Sequence, residues 1–205
     1  MTRVRMATDE RRARLLALGV ELFSRCSFDA LTTDLIATEG GISKGLLFHY
    51  FGSKRGFYLA TIEHVGERLL AQVVLDPSGG PLAAVHDALD RFLDFVRDHA
   101  SIHRALLRGG LGADPQSQAI VERVRWTIVH RVLALLDPTA ADPDAAPALA
   151  TVAGLRLYGW VGCTEALSVA WLDGGIGRDR IRALMIESFA PVLAAWPRDR
   201  TVAPP

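Results

Sequence analysis

The stretch "ISKGLLFHYFGSKRG", Ile42 to Gly56, decides how the chain is read. It holds both lysines of the protein, Lys44 and Lys54, and every other strong cation is an arginine. Ser43 is placed to cap a short helix over "KGLLFHY", Gly52 breaks that helix, and Ser53 caps a longer one running to about Leu75. Just upstream, "LTTDLIATEGG" offers Thr32 or Thr33 as the cap of another short helix that stops at a glycine pair. A short helix, a tight glycine turn and a second short helix make a helix-turn-helix unit. Gly41 can adopt the left-handed backbone that a side chain resists. Ile42 is then expected to turn back into a small core with Leu35 and Ile36, while Leu47 and Phe51, four apart, anchor the second helix.

The remaining positions suit a nucleic-acid duplex. The start of the second helix presents unpaired backbone N–H groups and a positive dipole end, both matched to phosphate oxygens. Gly45 permits close backbone approach, and Lys44 can reach a guanine edge or a phosphate. His49, Tyr50 and Lys54 can clamp the phosphodiester chain, with Thr32 and Thr33 doing the same from the preceding helix. The chain is neutral overall, but residues 1 to 60 carry nine Lys/Arg against six Asp/Glu, and the rest fourteen against seventeen. A basic end on a mildly acidic body fits a bipartite protein with a DNA-facing end. From charge and spacing alone, a small helical hairpin with solvated lysines stays equally open.

Helical patterning continues through the 205 residues, and no run of β-branched alternation is bounded by turns. The expectation is an all-α protein of about nine helices. Residues 1–52 form a helix-turn-helix head, and 53–205 a larger helical body. Helices are expected over about Leu82–His99, Gln116–Leu136, 148–173 and 177–196, with a flexible connection at Asp137–Pro147 and a frayed end. Half of the residues are hydrophobic, enough for a sizeable core. Two cysteines, Cys26 and Cys163, suit a reducing cytoplasm. "MTRVRMATDERRARLL" is charged where a signal peptide needs an apolar core, and Arg156 and Glu165 interrupt the one stretch apolar enough to suggest a membrane span. No Gly-x-Ser-x-Gly elbow, phosphate-binding glycine loop, Cys-x-x-Cys or His-Glu-x-x-His occurs, so nothing points to catalysis, a cofactor or a metal. His99 and His103 stand four apart, half of a metal site at most.

At "ELFSRCSFDALTTDLIATEGGISKGLLFHYFGSKRGFYLATI" the sequence resembles the tetracycline-repressor-like (TetR) family of transcriptional regulators. The resemblance covers roughly residues 11 to 62. It rests on a helix ending in Leu-Phe, a threonine-capped helix, a Gly-Ile-Ser turn and a helix leading into an aromatic run and Lys54. It implies a homodimeric repressor that places the helix from Ser43 in the major groove of a double-stranded operator. The implied contacts are Thr33, Ser43, Lys44, Gly45, Leu46, Phe48, His49, Tyr50 and Lys54. Phe48 stands where the family usually has a tyrosine, removing a phosphate-contacting hydroxyl. Ser27 stands where a glycine often ends the first helix.

A twofold dimer reads a pseudo-palindrome with half-sites about 34 Å apart, which one head cannot do. The last two helices can supply its interface. Ala166, Leu167, Ala170 and Trp171 make one patch, continued by Leu184, Glu187, Ser188 and Pro191. A regulator of this kind also implies a sensor cavity for a small, hydrophobic effector. Candidate lining residues are Phe92, Phe95, His99, His103 and Leu107, then Trp126, His130, Tyr158, Trp160 and Glu165; taken singly, each reads more readily as plain core packing. Two other readings stay open: a helical small-molecule carrier or enzyme with a fortuitous amino-terminal hairpin, and a same-fold regulator controlled by a protein partner.

Overall fold

The computed structural model describes residues 2–26, 30–108, 114–137 and 151–199. Among them are nine α-helices and no strand, as the sequence patterning predicts. They are α1 (Thr2–Arg25), α2 (Thr33–Glu39), α3 (Lys44–Phe51), α4 (Lys54–Gln72), α5 (Pro81–Asp98), α6 (Ala100–Arg108), α7 (Pro115–Leu136), α8 (Val152–Leu172) and α9 (Arg178–Asp199). Helix α4 stops three residues before the expected Leu75. The Val74 N–H turns back to the Gln72 carbonyl at 3.0 Å, and a single 3-10 turn, Pro77–Gly79, follows. Pro81 opens α5, where its missing N–H is one the helix start leaves unbonded anyway. Ser27, most of the Asp137–Pro147 connection and the chain from 200 onward lie outside the described residues.

The chain packs as two compact units: Met1–Arg68 with His99–Ile120, and Leu69–Asp98 with Val121–Pro205. The expected boundary at residue 52 marks the end of the helix-turn-helix. The two compact units part inside α4 and α7, and α6 belongs with the amino-terminal helices.

In the first unit, α1 buries Leu15, Leu16, Leu22 and Phe23 at helical spacing. Ile36 of α2, Leu47 of α3, Phe57 and Ile62 of α4 and Ile102 of α6 are likewise nearly inaccessible. Phe23 meets Tyr58 edge-on with ring centroids 5.0 Å apart, and Phe51 meets Phe57 likewise at 5.0 Å. Such edge-to-face pairs add roughly 0.5–1.5 kcal/mol to the area they bury. Helices α1 and α4 approach so closely at Gly19 that a Cβ there would sit 2.4 Å from Thr61 Oγ1.

The second unit is built on α8 and α9. Ile181, Met185 and Phe189 recur every four residues along α9 with no exposed surface. Phe189 stacks at a tilt on Trp160 of α8, centroids 4.7 Å apart, and the Trp160 indole N–H donates to the Met185 carbonyl at 3.1 Å. Helix α5 closes this core with Val85, Leu89, Leu93 and Val96, and α7 with Val129, Val132 and Leu133. At the rim, Arg182 Nε donates to both oxygens of Asp90 at 2.8 and 2.9 Å, and Arg178 reaches Asp94 at 3.2 Å, fastening α9 to α5.

Candidate nucleic-acid interface

The helix-turn-helix forms as its local residues dictate. Thr32 Oγ1 accepts from the Leu35 N–H at 3.1 Å and caps α2; Ser43 Oγ accepts from the Leu46 N–H at 3.2 Å and caps α3. Each cap contributes about 1 kcal/mol. Between them Gly41 takes φ 62°, and the Ile42 N–H donates to the Ala37 carbonyl at 3.0 Å. Gly40 is needed for a different reason: a Cβ there would lie 2.8 Å from Leu15 Cδ2, so α1 passes directly over the turn.

The same caps decide which groups face outward. Ser43 binds the Leu46 N–H, and the Leu47 N–H reaches the Ser43 carbonyl at 3.1 Å, leaving the Lys44 and Gly45 N–H groups as the ones a helix start cannot bond internally. Leu47 is buried beneath them. Ser43, Lys44, Gly45, Phe48 and His49 are exposed, and Leu46 and Tyr50 half-buried. Phe48 is 44 % exposed, an unusual setting for a phenyl ring. Thr32 is exposed and Thr33 half-buried beside Asp34. The Lys44 ammonium is ion-paired with the Asp34 carboxylate across the two short helices, a partner that the sequence pattern did not single out.

Helix α4 begins one sharp turn later. Gly52 takes φ 72°, and Ser53 Oγ accepts from the Gly56 N–H at 2.9 Å, capping the helix that starts with Lys54. A Cβ on Gly56 would fall 1.9 Å from the Phe51 carbonyl oxygen, so only glycine lets α3 end against α4. The Arg12 guanidinium lies 5.6 Å over the Phe51 ring, within cation–π range. The interface residues expected from the sequence, Thr32 to Lys54, are thus gathered on α2, α3 and the start of α4.

The expected sensor residues are divided. His99, His103 and Leu107 belong to the first unit. His103 is held neutral: burial first, then Arg104 and His99, push its pKa down to about 4. The others belong to the second unit. There Phe92, Phe95 and Trp160 are buried, whereas His130 is exposed, one step past the core residue Val129. Trp126 and Tyr158 are half-buried and stack at 4.7 Å. The Tyr158 hydroxyl donates to Glu122 at 2.8 Å, and Arg125 joins Glu122 to Glu165, its Nε lying 3.0 and 2.9 Å from the Glu165 oxygens. Glu122 and Arg125 complete a polar cluster of which the sequence had suggested only Tyr158 and Glu165. A separate open groove of about 640 Å³ in this unit is lined by none of the expected residues. Its walls are Leu70, Ala71, Val74, Leu75 and Leu135, with Arg131 donating to the Leu70 carbonyl in α4 and the Val73 carbonyl just after it.

Of the expected dimer residues, Ala166, Glu187 and Pro191 are exposed. Ala170, Leu184 and Ser188 are half-buried, and Leu167 and Trp171 pack partly against the core. Gly159 and Gly162 have open space where a Cβ would stand. Among the described residues no group of three or more His, Cys, Asp or Glu could hold a metal ion, and no helix is long and apolar enough to cross a membrane.

A capped helix pair around a glycine turn, in a chain whose other described elements are also helical, defines a helix-turn-helix regulator architecture. Comparison with known proteins agrees. Residues 15–61 match the model of bacterial regulatory proteins of the tetR family, and residues 81–192 match the tetracyclin repressor-like C-terminal domain. A crystal structure of a tetR-family transcriptional regulator from Streptomyces coelicolor is similar over 91 % of this chain and 82 % of its own, with 30 % identity and a TM-score of 0.76. The transcriptional activator FasR of Mycolicibacterium smegmatis is 29 % identical over 120 residues, 58 % of this chain and 55 % of its own length. The nucleoid occlusion factor SlmA of Haemophilus influenzae is 32 % identical over 100 residues, 47 % of this chain and 46 % of its own. The chain spans about half the length of the curated relatives it matches. The chain belongs to the TetR family of transcriptional regulators.

Proposed function

We propose that the protein is a homodimeric transcriptional repressor that reads a pseudo-palindromic operator through α3 and is released from it by a small hydrophobic effector. Residues 1–52 serve as the DNA-binding part and 53–205 as the sensing and dimerising part. The observation that carries the reading is the outward face of α3. Ser43, Lys44, Gly45, Phe48 and His49 are exposed on a helix whose opposite side is pinned by buried Leu47. In this role Lys44 reads a base edge, Phe48 packs on a thymine methyl group, and Thr32, Thr33, Tyr50 and Lys54 hold phosphates. A DNA target of this kind places the protein in the cytoplasm, and nothing in the site calls for catalysis.

Two copies would meet through α8 and α9, a reading supported by exposed Ala166 and Pro191 and by the open space at Gly159 and Gly162. The effector reading draws on the half-buried Trp126–Tyr158 pair beside the Glu122–Arg125–Glu165 cluster, flat apolar surface with a few fixed polar groups. An effector releases DNA only if it binds the DNA-incompetent arrangement more tightly than the competent one. One relative carries the name of an activator, so the sign of control is a separate question that a reporter gene downstream of the operator answers.

The proposal is tested by titrating operator and unrelated duplex at several salt concentrations. Lys54→Ala is expected to weaken both about equally and to lower the salt dependence by about one phosphate contact. Unchanged binding of both duplexes would remove Lys54 from the interface.

A further inference from the structure

One member of the Asp34–Lys44 ion pair opposes the fold and the other opposes general DNA affinity, although the Asp34 carboxylate itself suits the first turn of α2. Lys44 is the first residue of α3, where the helix dipole opposes a cation. Asp34 puts a carboxylate on the surface proposed to meet a polyanion, where it repels phosphates. Both side chains are mostly exposed, 71 % for Asp34 and 53 % for Lys44, so their attraction contributes little to the stability of the fold. What the pair does supply is a donor beside an acceptor. A lysine ammonium only donates and an ionised aspartate only accepts, and here the two are held side by side at the start of α3.

We propose that Asp34 and Lys44 together read one G·C base pair in the major groove, the ammonium donating to guanine O6 and N7 and the carboxylate accepting from the cytosine N4 amino group. The inference rests on the DNA-reading function proposed above. The G·C edge offers two adjacent acceptors and then a donor. Lys44 keeps two protons beyond the one turned to Asp34, enough for both guanine acceptors, and Asp34 bonds through Oδ1 and retains Oδ2 for the amino group. The carboxylate has a second consequence. It partly neutralises Lys44 and so weakens the hold of that lysine on any phosphate, which lowers binding to unrelated DNA and raises the ratio between operator and background.

The test is a set of competition titrations of the full-length protein. The wild-type operator, selected from random duplex, is compared with every single base-pair replacement, for wild type, Asp34→Ala, Asp34→Asn, Asp34→Glu, Lys44→Ala and the double variant Asp34→Ala with Lys44→Ala. The expected result is one G·C position per half-site at which Asp34→Ala, Asp34→Asn and Lys44→Ala each reduce discrimination by about tenfold. The double variant should lose little more than either single one, and Asp34→Glu should retain the preference. Asp34→Ala should also bind unrelated duplex more tightly than wild type does. A discrimination pattern unchanged by Asp34→Ala, independent effects of the two residues, or a coupled preference for an A·T pair would each overturn the paired reader while leaving the DNA-reading function standing. If wild type enriches no sequence at all, that function fails and this inference falls with it.

Discussion

The helix-turn-helix and the α8–α9 core dispose of their polar groups in opposite ways. Around the turn, Ser43, Lys44 and His49 are exposed, and Ser43 and Lys44 stay so although the first caps α3 and the second pairs with the likewise exposed Asp34. In the second unit, Arg125 is closed on Glu122 and Glu165, the Trp160 indole on the Met185 carbonyl, and Arg178 and Arg182 on Asp90 and Asp94. The first arrangement leaves surface chemistry for a partner; the second fixes helices to one another. Damage to the two regions should therefore separate into lost recognition on one side and lost stability on the other.

The sharpest separation comes from Phe189, which is wholly buried against Trp160. Phe189→Ala should lower unfolding free energy by about 3–5 kcal/mol in urea denaturation. An effect below about 1 kcal/mol would mean that this core is not the support described.

The next effect depends on pH. His103 titrates near 4 in the folded protein because burial disfavours its charged form, against an ordinary value of 6.5. Between those values the unfolded chain binds the proton that the folded one refuses, so stability falls as pH drops from about 6.5 towards 4 and is constant in this respect above it. From pH 7 to pH 5 the loss is about 2 kcal/mol, and His103→Asn should remove it. An equally steep decline in the variant would assign the acid sensitivity to another group.

The smallest effect is the most selective. Ser43→Ala removes the α3 cap and should lower stability by about 1 kcal/mol. The same change loosens the first turn of the proposed reading helix, so operator affinity should fall by more than the stability change accounts for. Equal losses in the two measurements would blur the distinction between recognition and support.

The helix-turn-helix was legible because its determinants are local. A capping hydroxyl three residues from the N–H it binds, a glycine at φ 62° and Leu47 on the inner face are all visible in a dozen consecutive letters. Asp34 escaped notice because its partner is ten residues away on another helix, and nothing in "TTDLIATE" says which direction that carboxylate takes. The body was legible as helices but not as a site. Arg125 and Glu165 lie 40 residues apart, so no spacing rule links them. Helix α8 is apolar almost all round, and its sequence does not tell the Trp160 face, bonded to α9, from the exposed face at Leu155 and Gly159. His130 looked like a lining residue beside Trp126, but the helical turn of α7 directs Val129 and Leu133 inward and His130 out.

The most direct test of the central claim is selection of random duplex DNA by the purified protein at low salt, followed by sequencing of the enriched pool. The account predicts a pseudo-palindrome with half-sites about one helical turn apart, abolished when Lys44 and Lys54 are both replaced by alanine. A pool that stays random, before and after unfolding and refolding the protein to strip any carried ligand, would contradict the assignment of α3 as the reading helix.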